Sequence, residues 1–360
     1  MAELAIPCVW SADTDLHFGQ SGVFVGIAEP SDEEPDRTDA LRSAFKSRNA
    51  RLVEATNHGD EPLLAVHDAD FVKFLDTAHE QWIANGYDIT YGQPSVLPYI
   101  FPIPQFVHHV SPREPHALHA NVGRYAFDTM TPIGSGTARA ARAAIDCALT
   151  ACDMVLGGEH SAYAATRPPG HHAGRSFYGG SCYLNSSAGA AQYLRTNGAT
   201  RVAIIDIDAH HGNGTQEIFY DRNDVWFGSV HIDPAAGWFP HYVGYVDEIG
   251  FGQGTGSNVN IPLAATSREP DWIEAVSMLC DLAGATNPDA IVVSLGVDAA
   301  VEDPNSPLQV TQEGFRSAGA LLNALRVPTV FVQEGGYVVD RIGALVTAVL
   351  DGFTAHATPS

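Results

Sequence analysis

The sequence predicts an α/β fold in which helices cover both faces of a parallel β-sheet. Four apolar segments, rich in β-branched and aromatic residues, lack alternation of polar and apolar positions, as is typical of strands buried on both faces. Segments with helical periodicity lie between them, and this order favours a three-layer arrangement. The predicted strands are residues 201–208, 224–232, 290–298 and 327–337, and the predicted helices are 136–156, 185–198, 270–285 and 311–326.

Each predicted strand carries polar residues at or just beyond its carboxyl end. In chain order they are Asp206, Asp208 and His210, then Ser229 and His231, then Asp298, and finally Glu334 and Tyr337. Ligands of open parallel sheets bind beyond the carboxyl ends of the strands. We therefore expect these side chains to share one site at that edge of the sheet.

Residues 87–120 interrupt the α/β pattern. This segment is rich in proline, aromatic residues and histidine and shows no helical periodicity. A loop of this length inside a compact domain is usually functional or part of an interface. We expect it to lie near the mouth of the site or at a subunit contact.

The charge of the chain limits the partners that it is expected to bind. The chain of 360 residues has 19 basic and 42 acidic residues, a formal charge of −23. Such a charge disfavours nucleic-acid binding, which depends on cationic side chains that neutralise phosphates. It permits a cationic substrate without requiring one, since a dispersed acidic surface also keeps a protein soluble.

The cysteines and the N-terminal segment indicate a cytoplasmic protein. Five cysteines without C-x-x-C spacing argue against a disulfide scaffold and fit a reducing compartment. The first fifteen residues have neither the basic region nor the apolar core of a signal peptide. No apolar run approaches the roughly 20 residues needed to span a bilayer, so we expect no membrane association.

The segment "DIDAHHGNGTQ" (206–216) suggests a metal site. Asp208 and His210 are two residues apart, so at an extended strand end they project to the same side. Asp298 adds a second carboxylate, and three protein ligands with an open position are typical of catalytic Zn²⁺, although Fe²⁺ or Co²⁺ would accept the same donors. The alternative is that both aspartates cap helices and His210 is an ordinary loop histidine.

Four motifs in this order resemble the arginase–deacetylase superfamily, specifically histone deacetylases and bacterial acetylpolyamine amidohydrolases. They are "RPPGHHA" (167–173), "DIDAHHGNGTQ" (206–216), "SLGVD" (294–298) and "EGGY" (334–337), and the similarity runs from "VHDADFVKFL" (66–75) to the final helix. The resemblance implies a single catalytic domain over residues 1–360, with an arginase/deacetylase-type fold on a parallel sheet of about eight strands. It also implies zinc-dependent hydrolysis of a small N-acyl amide.

The resemblance assigns roles to the polar residues. A general base must lie within hydrogen-bond reach of the attacking water, and His171 and His172 are the candidates. The family pattern pairs His171 with Asp206 and His172 with Asn213, and makes Tyr337 the hydrogen-bond donor to the oxyanion. The family also binds a structural K⁺, for which the matching residues are Asp206, Asp208, His210 and Ser229.

The substrate tunnel of such enzymes has aromatic walls, and here the sequence departs from the pattern. Phe239, with Trp238 beside it, matches one wall, whereas Ser181 replaces the opposing aromatic residue. Gly180 and Gly336 complete the predicted substrate-binding residues. The replacement at Ser181 should open one side of the tunnel and shift the substrate.

A second departure concerns the charge of the substrate. Acetylpolyamine enzymes carry two glutamates after the long loop, and the matching positions here are His119 and Met130, with Asp128 as the nearest carboxylate and Arg124 close by. This change weakens the hypothesis that the substrate is a polyamine. An acetylated polyamine or lysine-like amine and a less cationic amide, such as an anilide or N-methyl amide, both remain open.

Two other functions compete with the deacylase hypothesis. A catalytically silent metal-binding homologue would have no need to keep the ligands, both histidines and Tyr337. A ureohydrolase would need two further aspartates for a second metal, at positions occupied by Gly212 and Ala300. By the resemblance we expect a mononuclear site in a homodimer or homotetramer.

Overall fold

Eight parallel strands form the central sheet of this computed structural model, which describes residues 3–18, 21–110 and 113–355. The strands of this sheet are β1 (Cys8–Trp10), β4 (Leu52–Glu54), β5 (Ser161–Ala164), β6 (Val202–Asp206), β7 (Val225–Ile232), β8 (Asn258–Leu263), β9 (Ala290–Leu295) and β10 (Thr329–Gln333), and two further strands, β2 (Gly22–Phe24) and β3 (Ile27–Glu29), form a separate hairpin. The helices are α1 (Asp36–Ser47), α2 (Glu61–Leu64), α3 (Ala69–Ala84), α4 (Tyr87–Thr90), α5 (Pro104–Val107), α6 (Leu118–Asn121), α7 (Thr137–Leu156), α8 (Ser186–Thr196), α9 (Asn213–Phe219), α10 (Glu269–Ala285), α11 (Gln312–Ala324) and α12 (Val339–Thr354).

The sheet is covered on both faces, as predicted. Alternate residues of β6 point to opposite sides: Ala203 and Ile205 pack with α1 and α10–α12, whereas Val202 and Ile204 pack with α7–α9. Because both faces are buried, the strands are apolar throughout, which explains the missing polar alternation in the sequence.

The order of strands places the ends of β6 and β9 side by side. The sheet reads β4-β1-β5-β10-β9-β6-β7-β8. From β6 the chain proceeds outwards through β7 to β8, whereas from β9 it proceeds in the opposite direction to β10. Such a switch point opens a crevice at the carboxyl ends of the two strands, where ligands bind in open α/β sheets.

The predicted α/β pattern is confirmed, and each of the four predicted strands is shorter than expected. The strand predicted over 327–337 is Thr329–Gln333, and the one predicted over 290–298 is Ala290–Leu295. Asp298, Glu334 and Tyr337 lie beyond the ends of these strands, in the loops that follow β9 and β10. Backbone hydrogen bonds join the two loops; the amide of Val297, for example, donates to Gly335 O at 3.0 Å.

Part of the 87–120 segment is helical, which corrects the prediction of a loop without helical structure. Residues 111 and 112 lie outside the described part of the chain. It contains the short helices α4, α5 and α6, each of four residues. One turn of helix is too short to show periodicity in a sequence. Local signals were present, since Gly86 adopts a left-handed conformation before α4 and Pro104 begins α5.

A small antiparallel hairpin of β2 and β3 was not predicted. Gly22 lies against the backbone of Met130, where a Cβ atom would come within 2.7 Å of the carbonyl oxygen. Only glycine permits this approach. The contact brings the hairpin and the acidic residues that follow it next to the polar strand ends.

No helix in the described part of the chain combines the length and the apolar character that a bilayer span needs. The five cysteines are unpaired and buried.

One surface contact yields a pH-dependent prediction for stability. His58 lies before α2, and its ring contacts two carboxylates of α7, with Nδ1 3.3 Å from Asp146 Oδ1 and Nε2 2.9 Å from Asp153 Oδ2. The hydrogen bond to Asp146 raises the pKa of His58, burial opposes it, and the bond to Asp153 adds to the increase. A raised pKa stabilises the folded state below the pKa of the unfolded chain, and this contribution disappears as the pH rises through the folded-state value.

We therefore expect His58→Gln to reduce the free energy of unfolding more at about pH 5.5 than at about pH 8.5, on either side of the ordinary histidine pKa. Urea denaturation at the two pH values measures the difference. His116→Gln, at an exposed position of the 87–120 segment, is the control and should show no such pH dependence. Equal destabilisation by His58→Gln at both pH values would contradict the prediction.

Candidate active site

Asp208, His210 and Asp298 meet at the switch point between β6 and β9. One ligand atom from each lies within 4.8 Å of the others. His210 Nδ1 is 3.0 Å from Asp298 Oδ2 and 3.4 Å from Asp208 Oδ1, and both carboxylates are fully buried. Two buried carboxylates this close are costly unless a cation compensates them. The oxygen and nitrogen donors fit a divalent metal such as Zn²⁺.

Backbone amides hold the carboxylates in place. Gly335 N donates to Asp208 Oδ2 at 2.8 Å, and Ala209 N donates to Asp298 Oδ1 at 2.9 Å. A Cβ atom at position 335 would lie 2.6 Å from an oxygen of each carboxylate. Glycine at this position therefore lets the end of β10 close over the ligand cluster.

The two histidines of "RPPGHHA" lie beside this cluster with different partners. His171 Nδ1 is 3.0 Å from Asp206 Oδ2, and His172 Nδ1 is 2.7 Å from Asn213 Oδ1. Both rings are buried, and their centroids are 4.0 Å apart. The structure thus brings together both pairs that the sequence suggested.

Their surroundings shift the two pKa values in opposite directions. Burial lowers the pKa of His171, but the carboxylates of Asp208 and Asp206 outweigh it and raise the value to about 10. Burial lowers the pKa of His172 well below the ordinary value, and the neighbouring His171 and His210 lower it further. His172 is therefore the neutral imidazole of the pair and can accept a proton.

Tyr337 follows β10 and lines the same cavity. Burial raises the pKa of its phenol well above the ordinary value, so the hydroxyl keeps its proton and can donate. Two contacts fix the residue: its backbone amide donates to Asp303 Oδ2 at 2.8 Å, and the Arg37 guanidinium lies 4.9 Å from its ring centre.

A cavity of about 440 Å³ opens onto these groups. The predicted site residues that line it are His172, His210, Tyr337, Phe239, Trp238, Ser181 and Gly180. Gly336 is not among the described lining residues; its carbonyl accepts from Arg37 Nε at 2.7 Å, and its contact with substrate stays a prediction.

One wall of the cavity is aromatic. The Phe239 ring lies nearly perpendicular to the ring of His172, with centroids 4.9 Å apart, and stacks on Phe127 at 5.6 Å. Gly180 is left-handed, and a Cβ atom there would lie 2.4 Å from the His172 ring. Sequence reasoning missed Phe127, whose only signal was its place beside Asp128.

The positions that weakened a polyamine substrate have other roles. Asp128 accepts hydrogen bonds from the amides of Gly180 at 2.5 Å and Met130 at 2.9 Å, so it supports the wall. His119 contacts the hydroxyl of Tyr87 at 2.9 Å. Met130 lines the cavity. Arg124 does not line it and lies 3.7 Å from Glu114.

Carboxylates that the sequence analysis overlooked line the cavity from the hairpin side. They are Glu29, Asp32 and Glu33, and the described lining contains neither lysine nor arginine. Glu33 is compensated by Arg37 at 2.6 Å and Arg167 at 2.9 Å. Glu29 and Asp32 are exposed. The signal was the acidic run "EPSDEEPD" (29–36), immediately before α1.

The geometry disfavours a second metal. A Cβ atom at Gly212 would lie 2.3 Å from Asp206 Oδ2, so an aspartate has no room there. Ala300 is buried. At the predicted K⁺ position, Ser229 Oγ lies 2.8 Å from His231 Nδ1, and Asp206 Oδ1 accepts from Asp208 N at 3.1 Å.

Comparison with known proteins gives consistent matches over nearly the whole chain. The profile of the histone deacetylase domain matches residues 31–353. The chain is 42% identical to acetylpolyamine amidohydrolase 1 of Pseudomonas aeruginosa, covering 97% of this chain and 99% of that protein. It is 39% identical to the acetylpolyamine amidohydrolase of Mycoplana ramosa, with 96% and 98% covered. A crystal structure of acetylpolyamine aminohydrolase from Burkholderia pseudomallei superposes with a TM-score of 0.92 at 38% identity, with 98% and 99% covered.

The ligand cluster predicts one zinc ion per chain. After chelation and dialysis against Zn²⁺, we expect one equivalent by elemental analysis. Asp298→Ala should weaken binding by more than the roughly 10- to 100-fold that is lost when only a supporting residue is removed. Competition with a chromogenic chelator measures the affinity. Asp128→Asn replaces a partly buried carboxyl group outside the cluster and should bind zinc like the parent. Two equivalents in the parent, or parental affinity in Asp298→Ala, would contradict the assignment.

Proposed function

The chain belongs to the histone deacetylase domain family, and on that premise we propose that it is a zinc-dependent deacylase of small cationic N-acyl amides. Family membership makes it an amide hydrolase; the metal and the substrate are the proposal. The observation that carries it is that His210 of the ligand cluster, His172 of the histidine pair and Tyr337 line one cavity.

The residues that would hold zinc are Asp208, His210 and Asp298. When bound, the ion would lower the pKa of a water molecule and polarise the acyl carbonyl. Asn213 Oδ1 accepts from His172 Nδ1, and its Nδ2 atom lies 3.4 Å from His172 O, so the amide orientation is fixed from both ends. The proton of neutral His172 is therefore on Nδ1, and Nε2 carries a free lone pair.

His172 Nε2 is accordingly the acceptor for the proton of the attacking water. The imidazolium that results would return that proton to the leaving nitrogen as the amide bond breaks. Asp206 keeps His171 oriented and charged beside it, as the carboxylate of a triad does. The Tyr337 hydroxyl would donate to the acyl oxygen as negative charge develops on it.

An acetylated polyamine or lysine-like amine is the substrate class that best suits this cavity. The relatives with 39–42% identity are named acetylpolyamine amidohydrolases. Glu29 and Asp32 at the mouth supply carboxylates for a cationic tail, so the departures at His119 and Met130 do not remove all acidic groups. A neutral amide, such as an anilide, is the second candidate, because Ser181 leaves room where relatives of this family place an aromatic ring.

The remaining features support a self-associating cytoplasmic enzyme with a structural K⁺. The 87–120 segment exposes large apolar side chains, among them Ile89, Tyr99 and Phe106. Such a surface is typical of a protein contact, and we propose that it joins subunits of a homodimer or homotetramer.

The carbonyls of Asp208 and His210, with Asp206 and Ser229, remain the proposed K⁺ ligands.

Tyr337→Phe tests the hydrolytic assignment. The phenyl ring retains the packing and removes only the donor, so kcat should fall about 100- to 1,000-fold, as after loss of one oxyanion donor elsewhere, while the zinc content stays at that of the parent. Steady-state kinetics on acetylputrescine with elemental analysis measures both. Parental turnover in this variant would contradict the role of Tyr337.

Glu29→Gln with Asp32→Asn tests the substrate. Two weak, solvent-screened ion pairs are worth about 1 kcal/mol together, so KM for acetylputrescine should rise about fivefold with kcat nearly unchanged. Acetanilide should be unaffected. Glu274→Gln with Asp281→Asn, on the exposed face of α10, removes the same charge and is the control. If the parent prefers acetanilide to acetylputrescine, the substrate class is wrong.

A further inference from the structure

Glu334 is a buried carboxylate to which neither the metal cluster nor the proton transfer assigns a role. It is the first residue after β10 and is fully buried. The ion pairs of the described residues do not include it. Three hydrogen-bond donors contact its carboxyl group, and two of them belong to the loop that carries the catalytic histidines.

The carboxylate holds the backbone of the histidine loop. Glu334 Oε2 accepts from Gly170 N at 2.6 Å and from His171 N at 3.1 Å. Successive backbone N–H groups that converge on one oxygen form a small anion-binding nest. Without an acceptor, both amides would be buried and unpaired, which would destabilise this arrangement of the loop.

The other oxygen connects the loop to the layers around it. Glu334 Oε1 accepts from Ser187 Oγ of α8 at 2.8 Å, and Ser187 Oγ accepts from Ser294 Oγ of β9 at 2.8 Å. On the opposite side of the loop, a Cβ atom at Gly170 would lie 2.7 Å from Leu184 O. The loop is therefore clamped between the start of α8 and the end of β10.

The same stretch of backbone fixes the other catalytic groups. Gly335 N, next in sequence, donates to Asp208 Oδ2, and Tyr337 stands two residues further on. One end of β10 thus sets the relative position of a metal ligand, the oxyanion donor and the histidine loop. Displacements well under 1 Å between such groups are enough to reduce catalysis strongly.

We propose that Glu334 is a positioning residue that fixes the His171–His172 loop to the end of β10 through the Gly170 and His171 amides. The inference rests on the proposed function for the roles of the histidines. Its structural part, the anchoring of the loop, does not depend on that function.

Three substitutions separate positioning from general stability. Glu334→Met has similar volume but no acceptor, and Glu334→Gln keeps one oxygen for the two amides. Ser187→Ala removes the contact to Oε1 and leaves both amide contacts intact. We expect Glu334→Met to lower kcat about 10- to 100-fold with KM and zinc content near parental values, as for loss of a residue that orients a catalytic group. Glu334→Gln should recover most of kcat, and Ser187→Ala should lower the melting temperature without a comparable loss of kcat.

Hydrogen–deuterium exchange provides a readout independent of activity. The amides of Gly170 and His171 should exchange faster in Glu334→Met than in the parent, Glu334→Gln and Ser187→Ala. Unchanged exchange, or equal losses of kcat in Glu334→Met and Ser187→Ala, would overturn the proposal. If Glu334→Met does not fold, Glu334→Ala is measured by the same criteria. Absence of amide hydrolysis by the parent would instead refute the proposed function, and the exchange result would still decide on Glu334.

Discussion

The site depends on the cost of placing two carboxylates side by side in the interior. Asp208 and Asp298 come together because β6 and β9 are neighbours at the point where the chain reverses its direction across the sheet. Their separation from water is costly unless a cation, well-placed amides and an imidazole offset it. Gly335 approaches both carboxylates closely, and His210 lies beside them. Both residues help to meet that cost.

The same field of negative charge distinguishes the two histidines. His171 faces Asp206 and Asp208, and these carboxylates hold it as a cation in spite of burial. His172 faces an amide on one side and the charged ring of its neighbour on the other, so it stays neutral. The pKa values of two adjacent, chemically identical side chains are thereby shifted in opposite directions, and His172 is the one suited to accept a proton.

The sequence was most informative where chemistry is concentrated in short motifs. Asp208 and His210 are two residues apart, within one motif. Long apolar strands such as β7 and β9 can be recognised from their composition. The three strands on one side of the sheet, β4, β1 and β5, are only three or four residues long, which leaves too little pattern to detect. Contacts between distant segments were equally inaccessible: nothing in the order of residues places Phe127 against Phe239, or Glu29 at the mouth of the cavity.

The absence of space at Gly212 has a consequence for how this scaffold could change. A side chain at this position would collide with Asp206, which is itself occupied in orienting His171. A substitution that introduced the extra carboxylate of a two-metal enzyme would therefore displace Asp206 and remove the support of His171. The ligand of a second ion and the support of His171 would compete for the same space, so an engineer who wants both must first give His171 another partner.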